Sequence, residues 1–398
     1  MIIDEKYIHE FVNKHNYDIR KTHNARFTDQ KCIPDVVCAV AECTLHFVGD
    51  DLGTTFSKND IWHSEYSRNL VADCFSKPNT EEATAESEFD KFFAQPLKML
   101  AAAGIIDEFK DGISNIYRIK EPEILRWISM REKNALTFLD IYFTKVLTDS
   151  EYMQYFEVFF TKQDKKSFDT LRDRIIEMYH THTPVKKDYE PKRIFNKLLN
   201  VLAFRRKKLG SKKGFISKDI ISLAEIRYNN VNWRDINKPK GMTRQDYALT
   251  VDGTTATNKG YYNRAIDQAK RFVRELEQYS EVHHYPSYPA TDAHHIFMRS
   301  QYPDLADMPE NIIALTGTEH YTYAHPNRNT LRTDENYQMV CLISKLDSIE
   351  RNFQAGRNDY SLADFTRVLN EGLETDEFSE QMGYEMIKAH LLKYLRPA

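Results

Sequence analysis

Between Thr291 and Pro326 the chain leaves little freedom of fold. Thr291-Asp-Ala-His-His-Ile-Phe297 is β-compatible towards its end, and Ile312-Ile-Ala-Leu315 is a wholly apolar run of strand length. Directly after it, Thr316-Gly-Thr-Glu319 has the spacing of a capping box, with Thr316 as N-cap and Glu319 reaching back from the third helical position. Pro326 stops that helix soon after. The expected order is strand, loop, strand and short capped helix. The same stretch places His294 and His295 at the end of the first strand, Asn311 at the head of the second and His320 in the first turn of the helix.

Composition bounds the rest. The chain has 398 residues, 41% hydrophobic and 29% charged, as in an ordinary globular protein of two or three domains. Its five cysteines, at 32, 38, 43, 74 and 341, include no C-x-x-C pair, so neither a four-cysteine zinc site nor a disulfide framework is indicated. No apolar run spans a bilayer and no signal-peptide pattern opens the chain, so a cytoplasmic, non-membrane protein is expected.

Charge is segregated. Residues 186–218 hold nine lysines and three arginines against Asp188 and Glu190, a local +10 in a chain whose total is −4, leaving −14 elsewhere. The densest part runs from Phe204 to Phe215 and reads as a basic loop carrying Arg205, Arg206, Lys207, Lys208, Lys212 and Lys213. Such a patch gives salt-dependent, sequence-independent affinity for a phosphate backbone. Beyond it lie Arg227 to Arg234 and Thr243 to Tyr247, rich in the side chains that read base edges.

The N-terminal part reads as helices followed by a hairpin. Pro34–Val48 is a nearly continuous apolar helix, Ser57 is an N-cap with Asp60 in the first turn, and residues 86–103 form an amphipathic helix stopped by Gly104. Two β-prone runs then flank Lys110-Asp-Gly112, the layout of a winged-helix module. Aromatic-rich helices fill residues 121–182, where Phe138 to Phe143, Tyr152 to Phe160 and Phe168 to Tyr179 read as core and His180 and His182 as surface histidines. A charged helix over 261–279 leads to the histidine stretch, and helices over 335–353, 361–373 and 377–395 close the chain. The fold class is therefore α+β and mostly helical. Its expected parts are a winged-helix-like domain over 1–125, a helical and basic recognition region over 126–280, and a C-terminal domain with a helical tail over 281–398.

The order His294-His295, Asn311, His320 resembles the HNH, or ββα-metal, nuclease motif. Residues 324–332, Tyr337-Gln338 and 342–345 resemble the segment just beyond the HNH core in some type II restriction endonucleases. The resemblance covers roughly residues 280–350 and implies specific roles. His294 takes the place of a metal ligand, His295 that of the general base, Asn311 that of the residue bracing the loop, and His320 that of a ligand on the helix. One Mg²⁺ or Mn²⁺ per site would stabilise charge on the phosphorane and leaving oxygen. Many members carry a second helix ligand four residues on, but Ala324 stands there. His325 sits at i+5, about 140° round an α-helix, and cannot share an ion with His320 while that helix continues.

Neighbouring strand residues point to opposite faces, so either His294 or its same-face partner Asp292 completes the metal set. Arg299, just beyond the base, is a candidate phosphate contact. The resemblance implies a site-specific, metal-dependent double-stranded DNA endonuclease of a restriction–modification system, with strand pairs cut by a homodimer. Modification-dependent, homing or nicking nucleases are alternatives, as is a DNA-binding regulator with a structural metal.

Overall fold

The computed structural model describes residues 3–75, 86–112, 114–228, 255–325 and 333–394. Asn229 to Arg234, Thr243 to Tyr247 and Pro326 to Arg332 lie outside the described residues. The protein is α+β and mostly helical, with three small antiparallel sheets among the described residues. It divides into two compact units, Met1–Tyr261 and Tyr262–Ala398. No helix among the described residues is long and apolar enough to cross a membrane.

In the first unit, Pro34–Val48 is a helix buried on nearly every side, as its unbroken apolar sequence requires. Strand β1 (Thr55–Ser57) comes next, and Ser57 closes a capping box with Asp60 at the start of the Lys58–His63 helix. The Glu86–Ala102 helix buries Phe92, Phe93, Leu97 and Leu100. It ends at Gly104, whose φ of +81° lets Ile105 N–H close back on the Leu100 carbonyl. Strands β2 (Ile106–Asp111) and β3 (Ser114–Ile119) form a hairpin, and β1 adds to its β3 side to give the order β1-β3-β2.

One core runs from Ile3 to Tyr228. It crosses residue 125 without a break, since Ile124, Leu125, Trp127 and Ile128 share it with Val36, Val37 and Val40. The expected division at 125/126 is therefore not a division of cores. Phe138, Tyr142, Phe143, Phe156, Phe159, Phe168 and Tyr179 are all buried within it, as core aromatics. His180 and His182 lie on the last turn of the Lys165–His182 helix, and all five cysteines are free and buried.

The basic stretch is not a loop. Residues 189–205 are helical, and Phe204 to Phe215 continues into a two-stranded hairpin, β4 (Leu209–Lys212) and β5 (Phe215–Ile220). Lys213 and Gly214 make the turn with φ of +54° and +84°, the sign of a two-residue type I′ connection.

The second unit begins inside the Thr255–Leu276 helix. That helix belongs with the C-terminal elements, through the Phe272–Tyr360 ring contact and the Tyr360 hydroxyl bond to Glu277. The compact unit thus starts some way before the expected 281. Strands β6 (Asp292–His295) and β7 (Ile312–Leu315) pair in the register Asp292↔Leu315, Ala293↔Ala314, His294↔Ile313 and His295↔Ile312. The tail helices Glu335–Gln354 and Leu362–Gly372 reach the segments flanking this sheet, Gln338 bonding the Ile296 carbonyl and Gly372 lying against Phe297. The Lys345 ammonium, fully buried, meets Glu281 at 2.8 Å, and the same Glu281 carboxylate accepts the Ala314 N–H. The last expected helix is shorter, Gly383–Leu391, because Gly383 takes a φ of +71° and the preceding turn is a separate 3₁₀ piece.

Candidate functional site

Strand β7 is buried on both faces, so β6 and the helix after β7 have a fixed platform to work against. The Thr316–Glu319 capping box forms as its sequence dictates. Thr316 N–H donates to Glu319 Oε2 at 2.7 Å, and Glu319 N–H donates to Thr316 Oγ1. The other carboxylate oxygen, Oε1, accepts from Ser280 Oγ and from His283 Nδ1 at 2.5 Å, which ties the helix start to the segment before β6.

Once past the cap, the chain winds into a π-helix, Glu319–Ala324. Its i→i+5 hydrogen bonding makes each turn wider than an α-turn, so a residue five positions on lies nearly above the first. The chain leaves the helix at His325, whose φ and ψ are extended. Both features bring His325 back to the side of His320, which meets the condition under which the two can share an ion. The side chains of His294, His320 and His325 offer nitrogen atoms that all lie within 4.8 Å of one another. Among the described residues, this is the group of metal-type donors that converges.

Asp292 has a different place. It lies on the same face of β6 as His294, as strand alternation demands, and its Oδ1 accepts from His320 Nδ1 at 3.2 Å. Committing Nδ1 to a carboxylate leaves Nε2 of His320 as the lone-pair nitrogen, the arrangement by which outer carboxylates orient ligating histidines. Burial and the neighbouring histidines hold His294 well below its ordinary pKa, and burial also lowers His320 against the pull of Asp292. Neutral imidazoles are the form that binds a cation.

These residues fit a divalent ion. Tetrahedral bonds of about 2.0–2.1 Å put ligand nitrogens about 3.4 Å apart, so nitrogens that lie within 4.8 Å of one another would draw in on binding. Three imidazoles suit borderline transition metals better than Mg²⁺, which prefers oxygen donors.

His295 faces away from His294, next to the loop that joins the strands. Its Nε2–H donates to the Ala306 carbonyl at 2.9 Å, because a carbonyl can only accept, and Nδ1 is therefore the unprotonated nitrogen. Burial first, then the Lys270 ammonium, pushes its pKa down to about 4. Strand β6 ends at this residue, so the alternation that separates adjacent side chains ends with it.

Asn311 is fully buried and braces the same loop. Its side chain accepts from Phe297 N–H at 2.8 Å and donates to the Phe297 and Leu305 carbonyls. Leu305 precedes Ala306, so the brace fixes the carbonyl that holds His295. The Gln338 side chain adds a bond to the Ile296 carbonyl, and Phe297 packs so tightly on Gly372 that a Cβ there would sit 2.3 Å from the ring.

Two members of this neighbourhood are not legible in the sequence. His325 can join His320 only if the α-helical course ends before it, which spacing alone does not show. Lys270, on the Thr255–Leu276 helix, is half-buried and within electrostatic reach of His294, His295, His320 and Asp292. Burial, with the Arg299 guanidinium nearby, lowers its pKa. A lysine in a charged helix carries no sequence signal of this kind. Arg299 itself is exposed in the turn after β6.

The predicted basic residues separate into two groups. Arg206 is engaged with Asp140 at 2.6 Å and Thr144, and Arg205 with Glu5 at 3.1 Å and Asp140. These two arginines hold helices together and are not free for phosphate. Lys207 and Lys213 are exposed and form no ion pair among the described residues, Lys208 is half-buried, and Lys212 pairs with Glu225 at 3.1 Å. Searched against family models, curated proteins and solved structures, the chain matches none.

Proposed function

We propose that this protein is a metal-dependent endonuclease of double-stranded DNA, of the HNH type and site-specific in the manner of restriction enzymes. The observation that carries the reading is the convergence of His294, His320 and His325 beside His295, whose Nε2–H is held by a braced loop so that Nδ1 is left free. His294, His320 and His325 hold the cation, with Asp292 as the outer carboxylate. The donor set favours Mn²⁺ or another borderline transition metal over Mg²⁺. When bound, the ion supplies positive charge for the phosphorane and the leaving oxygen.

The chain's own residues do the rest. His295 Nδ1 takes the proton from the attacking water, and the phosphodiester's negative charge beside it raises its basicity from the low value of the free protein. The Ala306 carbonyl, fixed through Asn311, keeps the ring in the tautomer this requires. Lys270 places an ammonium beside the same histidines, where negative charge builds up. Upstream, the order of helix, β1, helices and the β2–β3 hairpin, with β1 added on the β3 side, supports a winged-helix reading of the N-terminal part. Cutting both strands at one site favours a homodimer.

Plasmid DNA incubated with the purified protein and Mn²⁺ is expected to give discrete fragments, and none with EDTA. Intact plasmid with every divalent ion would end the nuclease reading, and a smear would end the site-specific one. Lys270→Gln is expected to slow cleavage about 10²-fold, the scale of losing one preorganised donor at developing charge. Metal affinity in that variant should stay at the wild-type level when titrated by calorimetry. An unaltered cleavage rate would remove Lys270 from the reaction.

A further inference from the structure

The β4–β5 hairpin packs Leu209 and Ile216 against the core at its base and is built rigidly. The Asn200 side chain bonds both ways to Ser211, accepting its N–H at 2.7 Å and donating to its carbonyl at 2.9 Å. Ser211 Oγ donates to Asn196, Leu209 N–H donates to Gln163, and Gly210 N–H donates to Ser217 Oγ. Gly210 lies against Asn200 and Ile221 with no room for a Cβ. The base of the hairpin is therefore locked to the Tyr189–Arg205 helix.

Its tip carries the opposite character. Lys213 sits in a left-handed conformation, a strained choice for a lysine where Asn or Gly is the usual residue. Phe215, its neighbour across the turn, is 70% exposed, and Ile220 at the far end of β5 is 57% exposed. From Lys207 to Ile220 there are five lysines and one acid, Asp219. Lys207, Lys213 and Lys218 are exposed with no ion pair among the described residues. A solvated turn needs neither a rigid anchor nor an apolar ring at its apex.

We infer that this hairpin is a DNA-gripping ribbon, in which Lys207, Lys213 and Lys218 neutralise phosphates of a duplex and Phe215 presses into a base step as an apolar wedge. The occupant is double-stranded DNA, on charge complementarity and on the exposed ring at the tip, since apolar wedges enter base steps from the minor groove. The inference rests on the nuclease reading for its choice of polyanion. It transfers the binding role from Arg205 and Arg206 to the lysines and ring beyond them.

The test uses the full chain with EDTA, so that binding is read without cleavage. Fluorescence anisotropy with a labelled duplex over a salt series gives affinity and salt slope, and a duplex carrying 2-aminopurine reports unstacking. Wild type is expected to brighten the 2-aminopurine, and Phe215→Ala is expected to abolish that brightening and to weaken binding about tenfold. Lys213→Gln with Lys218→Gln is expected to reduce the slope of log affinity against log salt by about 2, since each phosphate contact contributes about 0.9. Unchanged affinity, slope and brightening in these exposed variants would overturn the ribbon and leave the nuclease reading intact. Tighter binding of single strands than of duplex would also overturn it. Loss of plasmid cutting with the ribbon's binding preserved would instead reject the nuclease reading alone.

Discussion

Replacing His295 by alanine or glutamine is expected to lower plasmid cleavage by about 10²–10⁴-fold, the range associated with a positioned general base. Duplex binding and metal loading should persist in both variants. Glutamine is the sharper test. Its amide can still donate to the Ala306 carbonyl, which the wild-type ring meets at 2.9 Å, but it offers no nitrogen able to take a proton. Alanine also removes a buried ring, so a melting curve should accompany it. Single-turnover cleavage of a labelled duplex measures both rates. If glutamine cleaves as fast as wild type, the base lies elsewhere, and the buried His295 is a packing residue.

The second large effect concerns the ion. His325→Ala is expected to weaken Mn²⁺ or Zn²⁺ binding by more than the 10- to 100-fold that accompanies loss of an outer-shell partner, because it removes one of three imidazole donors. Asp292→Asn should fall within that 10- to 100-fold, since its carboxylate orients His320 across 3.2 Å. Calorimetric titration of each variant reads the difference directly. A larger loss for Asp292→Asn than for His325→Ala would exchange their roles, making Asp292 a ligand and His325 a neighbour.

Local signals in the chain foretell local structure well. Two N-caps behave as their spacing requires: Ser57 with Asp60, and Thr316 with Glu319. The apolar run after Asn311 is a strand, and Asn311 itself braces the loop. Sequence reasoning fails where a residue's meaning depends on geometry beyond its neighbours. The position of His325 depends on a helix bonded i→i+5, and an i+5 spacing is favourable only in that geometry. Arg205 and Arg206 read as free in the sequence because Glu5 and Asp140, which bind them, are far away along the chain. Lys270 has its meaning from a helix that packs beside a site more than twenty positions onward. The choice between Asp292 and His294 turns on which of two same-face side chains converges with His320 and His325 and which hydrogen-bonds His320 Nδ1, which spacing alone does not decide.

The buried Lys345–Glu281 pair has a bearing on how this histidine cassette could be moved between proteins. Glu281 serves the sheet through Ala314 and answers to a lysine on a tail helix, with both side chains wholly enclosed. A transplant cut after the π-helix would carry the carboxylate without its cation, and an orphaned buried charge costs about 3–5 kcal/mol. A graft beginning at Glu281 would also leave Lys270 behind. The smallest portable piece therefore takes in the Thr255–Leu276 helix at one end and the helices through Leu391 at the other. What looks like an appended tail is part of the working unit.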